Sequence, residues 1–420
     1  MVPHARNNYR PAHARTAGRW PDNNIRLNLL YTPMDMDRPG HPQTSPGRAG
    51  NGDVRPDGAS DGASDGASDS MPHPTSAGQE RRCLMVIHAH PDDESSKGSA
   101  TVARYHDEGV YTILVCCTGG EEGDILNPAA NSPGVRENIA TIRHDELHDA
   151  ASIIGYDEVV HLGYRDSGMP DSPANRHPEA FANVSLEAVV SKLVTEIRRT
   201  RPQVIITYPD ERNHYPHPDH IRVHDASLPA FDAAGDPSLY PDAGKPWQPS
   251  RLFYVLFSGG RILEMHEQFL LAGKQSPFDK RWLERAASWT AKKSIIRIDV
   301  TGYTHIRRKA LLAHATQIDP QSPFWFGLPD DVVDKIAPYD EYELARYVDG
   351  TGKIIIVDDH SAEAQGRSNA TSGAGIASTV GSASGTGTDA MSETRDTVQD
   401  AVGSGSLAAI LASVQNDLFG

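Results

Sequence analysis

Short apolar runs alternate with amphipathic stretches through the middle of the chain, and this alternation predicts its architecture. A short apolar run bounded by polar residues is typical of a buried strand, and apolar residues three or four positions apart are typical of a helix. The predicted strands are residues 83–88, 111–117, 158–162 and 203–208, and the predicted helices are residues 94–106, 136–154 and 185–199. Alternating strands and helices favour right-handed crossovers. The expected fold class is α/β, a mostly parallel sheet with flanking helices.

The pattern becomes weaker after residue 220. Two apolar runs predict further strands at residues 252–257 and 295–300, and helical spacing predicts helices at residues 305–314 and 341–347. We expect these elements to form a smaller C-terminal α/β part, which completes a domain at residues 81–350.

Both ends of the chain differ from its middle in composition. Residues 1–80 are rich in Pro, Gly, Asn, Arg and Asp and contain three tandem copies of Asp-Gly-Ala-Ser. Residues 351–405 are dominated by Ser, Gly, Ala and Thr from residue 361 onward. Such segments bury too little apolar surface to offset chain entropy, so we expect a disordered tail and a flexible linker. Residues 406–420 are apolar at helical spacing, and we expect a short helix that docks on the domain.

Charge and apolar content restrict the partners of the protein. The formal net charge of −16 argues against a nucleic-acid-binding surface, which needs a basic patch. No apolar run reaches the roughly 18 residues of a membrane span. Cys116 and Cys117 are neighbours in a predicted strand and therefore point to opposite faces, so we interpret them as reduced core thiols. We expect a cytoplasmic enzyme with a small-molecule substrate and make no prediction of its oligomeric state.

Two polar clusters directly follow predicted strands. His90-Pro91-Asp92-Asp93-Glu94 follows the first strand, and His217-Pro218-Asp219-His220 follows the fourth. Ligands of open α/β sheets bind at the carboxyl ends of strands, so the clusters could meet there. Catalytic zinc takes three ligands from His, Asp, Glu or Cys and keeps one position for water. We predict His90, Asp93 and His220 as the metal ligands.

The remaining side chains of the two clusters suit hydrolysis at such a metal. A bound ion lowers the pKa of its water from about 15.7 toward 7. Asp92 is the candidate general base, and His217 is the candidate donor to a developing oxyanion. Asp219 is expected to hydrogen-bond a ligand imidazole and fix its tautomer. Each motif alone is also compatible with an ordinary turn or an exposed helix start.

The paired His motifs resemble the zinc-dependent de-N-acetylase superfamily of N-acetylglucosaminyl-phosphatidylinositol deacetylases (LmbE-like). Further stretches resemble its mycothiol S-conjugate amidase branch. They are residues 88–98, Thr118-Gly119-Gly120-Glu121, residues 165–169, Tyr215-Pro216-His217-Pro218-Asp219-His220-Ile221-Arg222 and residues 314–320. The resemblance covers roughly residues 83–350. It departs from the family at residues 211–214, where relatives carry a glycine-rich turn.

The resemblance implies a Rossmann-like domain that holds Zn²⁺ through His90, Asp93 and His220. Nitrogen and oxygen ligands accept Fe²⁺ as readily, so Fe²⁺ is an alternative metal. It implies Asp92 as the base and later the acid, and His217 with Tyr215 as the groups that stabilise the tetrahedral intermediate. Three further positions match residues associated with the substrate in relatives: Lys97, Arg143 and Asp166. Lys97 also matches the lysine that marks the amidase branch.

The expected reaction is hydrolysis of the amide between N-acetylcysteine and glucosamine in a mycothiol S-conjugate, giving a mercapturic acid and glucosaminyl-inositol. Three alternatives stay open at this point. One is deacetylation of N-acetylglucosaminyl-inositol, and another is a non-haem iron oxygenase, because two histidines and one carboxylate also form that iron site. The third is a non-catalytic sugar-binding relative.

Overall fold

The computed structural model describes residues 81–212, 215–289, 295–357 and 414–419. Its described strands are β1 (Cys83–His88), β2 (Tyr111–Thr118), β3 (Glu158–Tyr164), β4 (Val204–Thr207), β5 (Arg251–Leu256), β6 (Ile295–Asp299), β7 (Tyr339–Val348) and β8 (Ile354–Ile356). Its described α-helices are α1 (Asp93–Ser96), α2 (Ser99–Asp107), α3 (Pro133–Glu137), α4 (Ile139–Ile154), α5 (Leu186–Thr200), α6 (Pro218–Ala234), α7 (Gly259–Leu271), α8 (Lys280–Trp289), α9 (Thr304–Ala313), α10 (Pro323–Phe326) and α11 (Asp330–Ile336).

The strands form one sheet in the order β3-β2-β1-β4-β5-β7-β6, with β8 paired to β7. The pairs formed among β1 to β5 are all parallel, whereas β7 runs antiparallel to β5, β6 and β8. The predicted α/β class and mostly parallel sheet are confirmed. The C-terminal elements extend the same sheet, because β7 pairs directly with β5.

Burial in the centre of the sheet explains why β1 and β4 were predictable from the sequence. All six residues of β1 and all four of β4 are buried, as expected for strands covered by helices on both faces. The three cysteines are free and buried, which confirms their interpretation as reduced core thiols. Cys116 and Cys117 pack in different core clusters, as the alternation of side chains along a strand requires.

Three predicted helices need correction. Residues 94–106 form two helices, because Gly98 interrupts them with a φ of 80°, a conformation that glycine adopts readily. Residues 136–154 are likewise divided at Asn138. Residues 341–347 belong to β7, so the predicted short helix there is wrong. This strand is buried along most of its length by pairing on both sides, and such tertiary contacts override local helix propensity.

The predicted tail and most of the predicted linker lie outside the described residues. Within residues 414–419, Val414 and Leu418 are fully buried in the main core cluster. The backbone N–H of Leu418 donates to the hydroxyl of Tyr105 at 2.6 Å. The end of the chain therefore packs on α2, and its described part consists of turns. None of the described helices combines the length and the apolar character that a membrane span requires.

Candidate active site

The two polar clusters meet where the order of the strands reverses. β1 and β4 are parallel neighbours, so their carboxyl ends lie at the same edge of the sheet. The chain proceeds from β1 to β2 and β3 on one side, and then returns to β4 and β5 on the other. Such a switch point leaves a crevice between two diverging loops, which is the usual ligand site of an open α/β sheet.

Three predicted metal ligands converge at this crevice. His90 Nδ1 and His220 Nε2 each lie 3.5 Å from Asp93 Oδ2. One ligand atom from each of the three residues lies within 4.8 Å of the other two, and all three side chains are buried. Metal–ligand bonds of about 2.0–2.2 Å in a tetrahedron place neighbouring ligand atoms roughly 3.4 Å apart. The observed spacing therefore fits a single divalent cation.

The charge around the three residues also fits a cation. Asp219 Oδ2 and Asp166 Oδ1 lie 3.2 and 3.7 Å from His90 Nε2. Asp219 Oδ1 is buried and has no hydrogen-bond partner within the described part of the chain. Burial lowers the pKa of His90, but Asp166 and Asp219 raise it, so the pKa lies well above its usual value. The pocket holds a surplus of carboxylate that a divalent ion would balance, and its donor set suits Zn²⁺ or Fe²⁺.

Two donors hold Asp93, a candidate metal ligand, in its ionised form. Its Oδ2 accepts the backbone N–H of His90 at 3.0 Å, and its Oδ1 accepts from Lys97 Nζ at 2.6 Å. Burial raises the pKa of Asp93, but Lys97 and His220 lower it, so the pKa lies well below its usual value. Lys97, predicted to bind substrate, thus contacts a candidate metal ligand directly.

Two residues that were not predicted from the sequence orient His220. Glu211 Oε2 lies 2.7 Å from His220 Nδ1, so Nδ1–H donates to it and Nε2 is left as the ligand atom. The ring of Tyr208 stacks on His220 with centroids 4.4 Å apart. The Tyr208 hydroxyl also accepts the N–H of Ala89, which joins the ends of β1 and β4. The available signal was a carboxylate in the loop after β4, since ligand histidines are commonly paired with one.

Asp92 occupies a backbone conformation that is rare for a residue with a side chain. Its φ is 109°, a region that typically costs about 1–3 kcal/mol. Its backbone N–H donates to Glu94 Oε2 at 2.9 Å, and its Oδ2 accepts from Arg143 Nη2 at 3.1 Å. Burial raises the pKa of Asp92, Arg143 lowers it and Asp93 raises it, and the net shift is upward. A raised pKa suits a general base that must also return a proton.

Arg143, predicted to contact substrate hydroxyls, is buried on α4 with its donors directed at the site's own loops. Its guanidinium donates to the carbonyls of Gly120 and Pro91 and to Asp92. A Cβ at Gly120 would lie 2.5 Å from Arg143 Cζ, so glycine is needed for this approach. Arg143 therefore fixes the turn that carries Asp92.

His217 directly precedes α6 and caps its N-terminus. Its Nδ1 accepts the backbone N–H of Asp219 at 3.2 Å, so the proton of the neutral ring is on Nε2. Burial lowers the pKa of His217, and the neighbouring His90 and His220 lower it further, to well below its usual value. The ring of Tyr215 lies edge-on to His220, with centroids 5.1 Å apart. These two predicted oxyanion groups thus border the candidate metal ligands.

The remaining predicted residues are also in the crevice. Asp219 Oδ2 contacts His90, a candidate ligand imidazole. Asp166 is buried, and its carboxylate accepts the N–H groups of Gly168 at 2.7 Å and Glu122 at 3.2 Å. The structure therefore brings all ten predicted site residues to one edge of the sheet.

A buried ion pair that was not predicted from the sequence stabilises the turn after β1. Glu94 Oε1 lies 2.6 Å from His314 Nε2, and both side chains are fully buried. Burial raises the pKa of Glu94, but His314 lowers it, and the net shift is downward. Burial lowers the pKa of His314, but Glu94 raises it, and the net shift is upward. The pair ties the end of α9 to the turn at Asp92.

Comparison with known proteins now assigns the family. Residues 85–231 match the family model described as PIG-L, GlcNAc-PI de-N-acetylase. The chain is 42% identical over 271 residues to the mycothiol S-conjugate amidase of Streptomyces coelicolor, covering 63% of this chain and 91% of that protein. The chain belongs to the GlcNAc-PI de-N-acetylase family. The resemblance stated from the paired His motifs is thereby confirmed.

Other proteins that are similar to this chain carry different names. The chain is 36% identical over 278 residues to 1D-myo-inositol 2-acetamido-2-deoxy-alpha-D-glucopyranoside deacetylase of Geodermatophilus obscurus, covering 64% of this chain and 94% of that protein. A solved N,N'-diacetylchitobiose deacetylase from Pyrococcus horikoshii has 17% identity and a TM-score of 0.43, covering 67% of this chain and 88% of that chain.

Proposed function

We propose that the protein is a zinc-dependent amidohydrolase that cleaves the amide between N-acetylcysteine and glucosamine in mycothiol S-conjugates. The products are a mercapturic acid and glucosaminyl-inositol. The observation that carries the substrate class is the 42% identity to a mycothiol S-conjugate amidase over 91% of its length. The reaction class is supported by the convergence of His90, Asp93 and His220 beside Asp92.

His90, Asp93 and His220 would hold the metal in this proposal. When bound, Zn²⁺ supplies Lewis acidity, which lowers the pKa of a water molecule from about 15.7 toward 7 and polarises an amide carbonyl. Lys97 occupies the second oxygen of Asp93, which favours coordination through one oxygen. Glu211 fixes the tautomer of His220 for the same purpose.

Asp92 takes the proton from the attacking water and returns it to the leaving amine. Its raised pKa serves both steps, because an amine leaves poorly unless it is protonated. Arg143 and Glu94 hold its carboxylate and its backbone N–H in place. A base fixed in this way needs no reorganisation before proton transfer.

His217 and Tyr215 stabilise the negative charge that develops on the amide oxygen. The neutral His217 ring carries its proton on Nε2, since Nδ1 is occupied as an acceptor. The lowered pKa keeps this ring neutral at pH 7. One such donor is worth about 2.7–4 kcal/mol in other enzymes.

Lys97, Arg143 and Asp166 were predicted to bind substrate, the last two through the inositol and glucosamine hydroxyls, and this stays a prediction. The contacts of Lys97 and Arg143 give these two residues a further task, the support of Asp93 and Asp92. Asp166 lies beside His90, with its Oδ1 3.7 Å from His90 Nε2. The expected cytoplasmic location also stays a prediction.

A second candidate function is deacetylation of N-acetylglucosaminyl-inositol. It is favoured by the 36% identity to a deacetylase of that type over 94% of its length. Rates on a bimane conjugate of mycothiol and on the acetylated sugar, measured by mass spectrometry on one preparation of known metal content, separate the two. Faster cleavage of the conjugate supports the amidase. Faster release of acetate from the sugar supports the deacetylase instead. Absence of hydrolysis of both substrates overturns both proposals.

The oxygenase and the non-catalytic alternative make different predictions in the same assay. Family membership and the α/β fold favour hydrolysis over the oxygenase. Turnover by a zinc-loaded, oxygen-free sample would eliminate both alternatives. A requirement for Fe²⁺ together with O₂ would instead support the oxygenase.

The role of Asp92 is tested by Asp92→Asn. Asparagine also tolerates positive φ, so the turn and the three candidate ligands are expected to persist. We expect bound metal to remain unchanged and kcat to fall by about 10²–10⁴-fold, the usual contribution of a general base. Metal analysis and steady-state kinetics provide the measurement, and Asp149→Asn on the exposed side of α4 is the matched control. Full activity in Asp92→Asn would remove Asp92 from the mechanism.

A further inference from the structure

Three exposed histidines form a second cluster on the outer side of α4, a motif that the sequence analysis did not single out. His144 and His148 are four residues apart and therefore lie on one face of the helix. This face is exposed, whereas Arg143 and Leu147 on the same helix are buried. The third member, His161, lies in β3 at the edge of the sheet.

The register of the sheet explains why His161 meets the helix. His161 pairs with Cys116 in the neighbouring strand β2, so the two side chains lie on the same face of the sheet. Cys116 packs against Leu147 and Ala151 of α4 in a small core cluster. His161 therefore lies on the face of the sheet that α4 covers, in the strand at the edge of the sheet.

The three imidazole rings are in direct contact. His148 Nε2 and His161 Nε2 are 3.0 Å apart. The ring centroid of His144 lies 4.6 Å from that of His148 and 4.7 Å from that of His161. One ring nitrogen from each residue lies within 4.8 Å of the other two. Because these side chains are exposed, packing of the core does not explain why the three rings cluster.

The geometry points to a second metal site: we propose that His144, His148 and His161 bind a divalent transition-metal ion of the Zn²⁺, Ni²⁺ or Cu²⁺ type. Neutral imidazole is a preferred ligand of these ions, whereas Mg²⁺ and Ca²⁺ prefer oxygen. The ring nitrogens need shifts of only about 1 Å to reach the spacing of ligands in a tetrahedral site. Exposed rings can make this adjustment, and water would complete the coordination.

The protonation of the cluster agrees with metal binding. Burial lowers the pKa of His161, and the neighbouring His144 and His148 lower it further. A lowered pKa favours the neutral His161 ring, which is the form that binds a metal ion. An ion held by all three would link α4 to the edge strand β3.

This site is separate from the three predicted ligands of the active site, although α4 contributes to both. Arg143 on the buried side of α4 contacts Asp92, and His144 follows it on the exposed side. The proposal does not depend on the substrate of the enzyme. It also does not depend on the identity of the active-site metal, because its residues are different.

The test measures zinc binding by the full chain. After equilibration with Zn²⁺ and removal of loosely held metal, we expect two zinc ions per wild-type chain and one in His148→Ala. His161→Ala is expected to behave like His148→Ala, and each variant weakens the second site by at least about 100-fold, since changes outside the ligand shell already cost about 10–100-fold. His305→Ala, an exposed histidine on α9, is the matched control and should keep two ions.

A further variant separates the two sites. His90→Ala should lose the active-site ion and keep the ion at His144, His148 and His161. In the variants of the second site, substrate turnover is expected to persist, which distinguishes loss of this site from unfolding. The proposal is overturned if the wild-type chain and His148→Ala bind zinc with the same stoichiometry and affinity. An equal loss in His305→Ala would also overturn it, because it would indicate nonspecific binding by surface histidines.

Discussion

Asp92 has an unusual backbone conformation, and its contacts with neighbouring residues explain how this conformation is maintained. A φ of 109° is unfavourable for aspartate, so the turn persists only because contacts determine it. Glu94 holds the backbone N–H, Arg143 holds the carboxylate, and His314 holds Glu94. This arrangement directs one carboxylate toward a crevice that contains the predicted metal ligands.

The first prediction at this scale concerns Arg143. In Arg143→Gln the guanidinium that holds Asp92 is lost, and a misplaced base commonly costs about 100-fold in rate. We therefore expect kcat to fall by about that factor. Because Arg143 lowers the pKa of Asp92, its removal should also move the acid limb of kcat/KM to higher pH. Steady-state kinetics across pH provide the measurement.

Two comparisons make the Arg143 result interpretable. Arg143→Lys keeps the charge and should recover part of kcat, and Arg136→Gln at an exposed position of α3 should change neither parameter. A rise in KM with unchanged kcat would instead assign Arg143 to uniform substrate binding. That outcome would support the role predicted from the sequence over the positioning role.

At the scale of elements, the sequence identified the strands that are covered on both faces. β1 and β4 are continuous apolar runs, and such runs have few other interpretations. Residues 341–347 of β7 were predicted as a helix, and the strand carries Asp340, Glu341 and Arg346 among apolar residues. These charges are compatible with a buried strand only because partners from other elements are brought to them, which no local pattern reveals.

Contacts between distant elements also explain why some site residues were not predicted from the sequence. His90 and Asp93 lie in one short motif after a strand, and His220 lies in another, so the neighbourhood of two strand ends was enough to predict their meeting. Glu211 and His314 reach the site through loops whose paths depend on the whole fold. Neither Glu211 nor His314 is chemically unusual, and only their positions in the fold make them part of the site.

The second prediction concerns the buried carboxylate of Asp340. Its oxygens accept from Thr101 and Arg307, which joins β7 to α2 and α9. Burial raises the pKa of Asp340, but Arg307 and Arg261 lower it, and the net shift is downward. Since the folded pKa is below the unfolded one, its stabilisation is fully present above the unfolded value of about 3.9 and is lost as pH falls through the folded pKa.

Asp340→Asn tests this linkage. Removing one partner of a buried ion pair costs about 3–5 kcal/mol, so we expect a loss of that size in the free energy of unfolding at pH 7. The difference between wild type and variant should stay constant down to about pH 5 and shrink below the unfolded pKa of about 3.9. Urea unfolding at several pH values measures it, with the exposed Asp149→Asn variant as reference. A difference that is independent of pH down to pH 3 would show that the charge of Asp340 contributes nothing.

At the scale of the whole molecule, residues 414–419 complete the surface beside the first strand. Asn416 Oδ1 accepts from Arg104 at 3.0 Å and from the N–H of Asp299 at 2.6 Å, so the segment touches both α2 and β6. The ring of Phe419 packs edge-on against Tyr105. A segment far along the chain therefore contributes to the core that supports β1.

The last prediction tests this contribution through Leu418, which is fully buried. Replacing a buried leucine with alanine removes its apolar contacts and leaves a cavity, at a typical cost of about 2–5 kcal/mol. We expect Leu418→Ala to lower the free energy of unfolding by that amount in urea. Leu271→Ala, whose side chain is 72% exposed, is the matched control and should change it by less than about 0.5 kcal/mol. Because α2 follows directly after the predicted metal ligands, Leu418→Ala should also accelerate metal loss near the unfolding midpoint. Equal stabilities of wild type and Leu418→Ala would mean that residues 414–419 do not contribute to the free energy of unfolding.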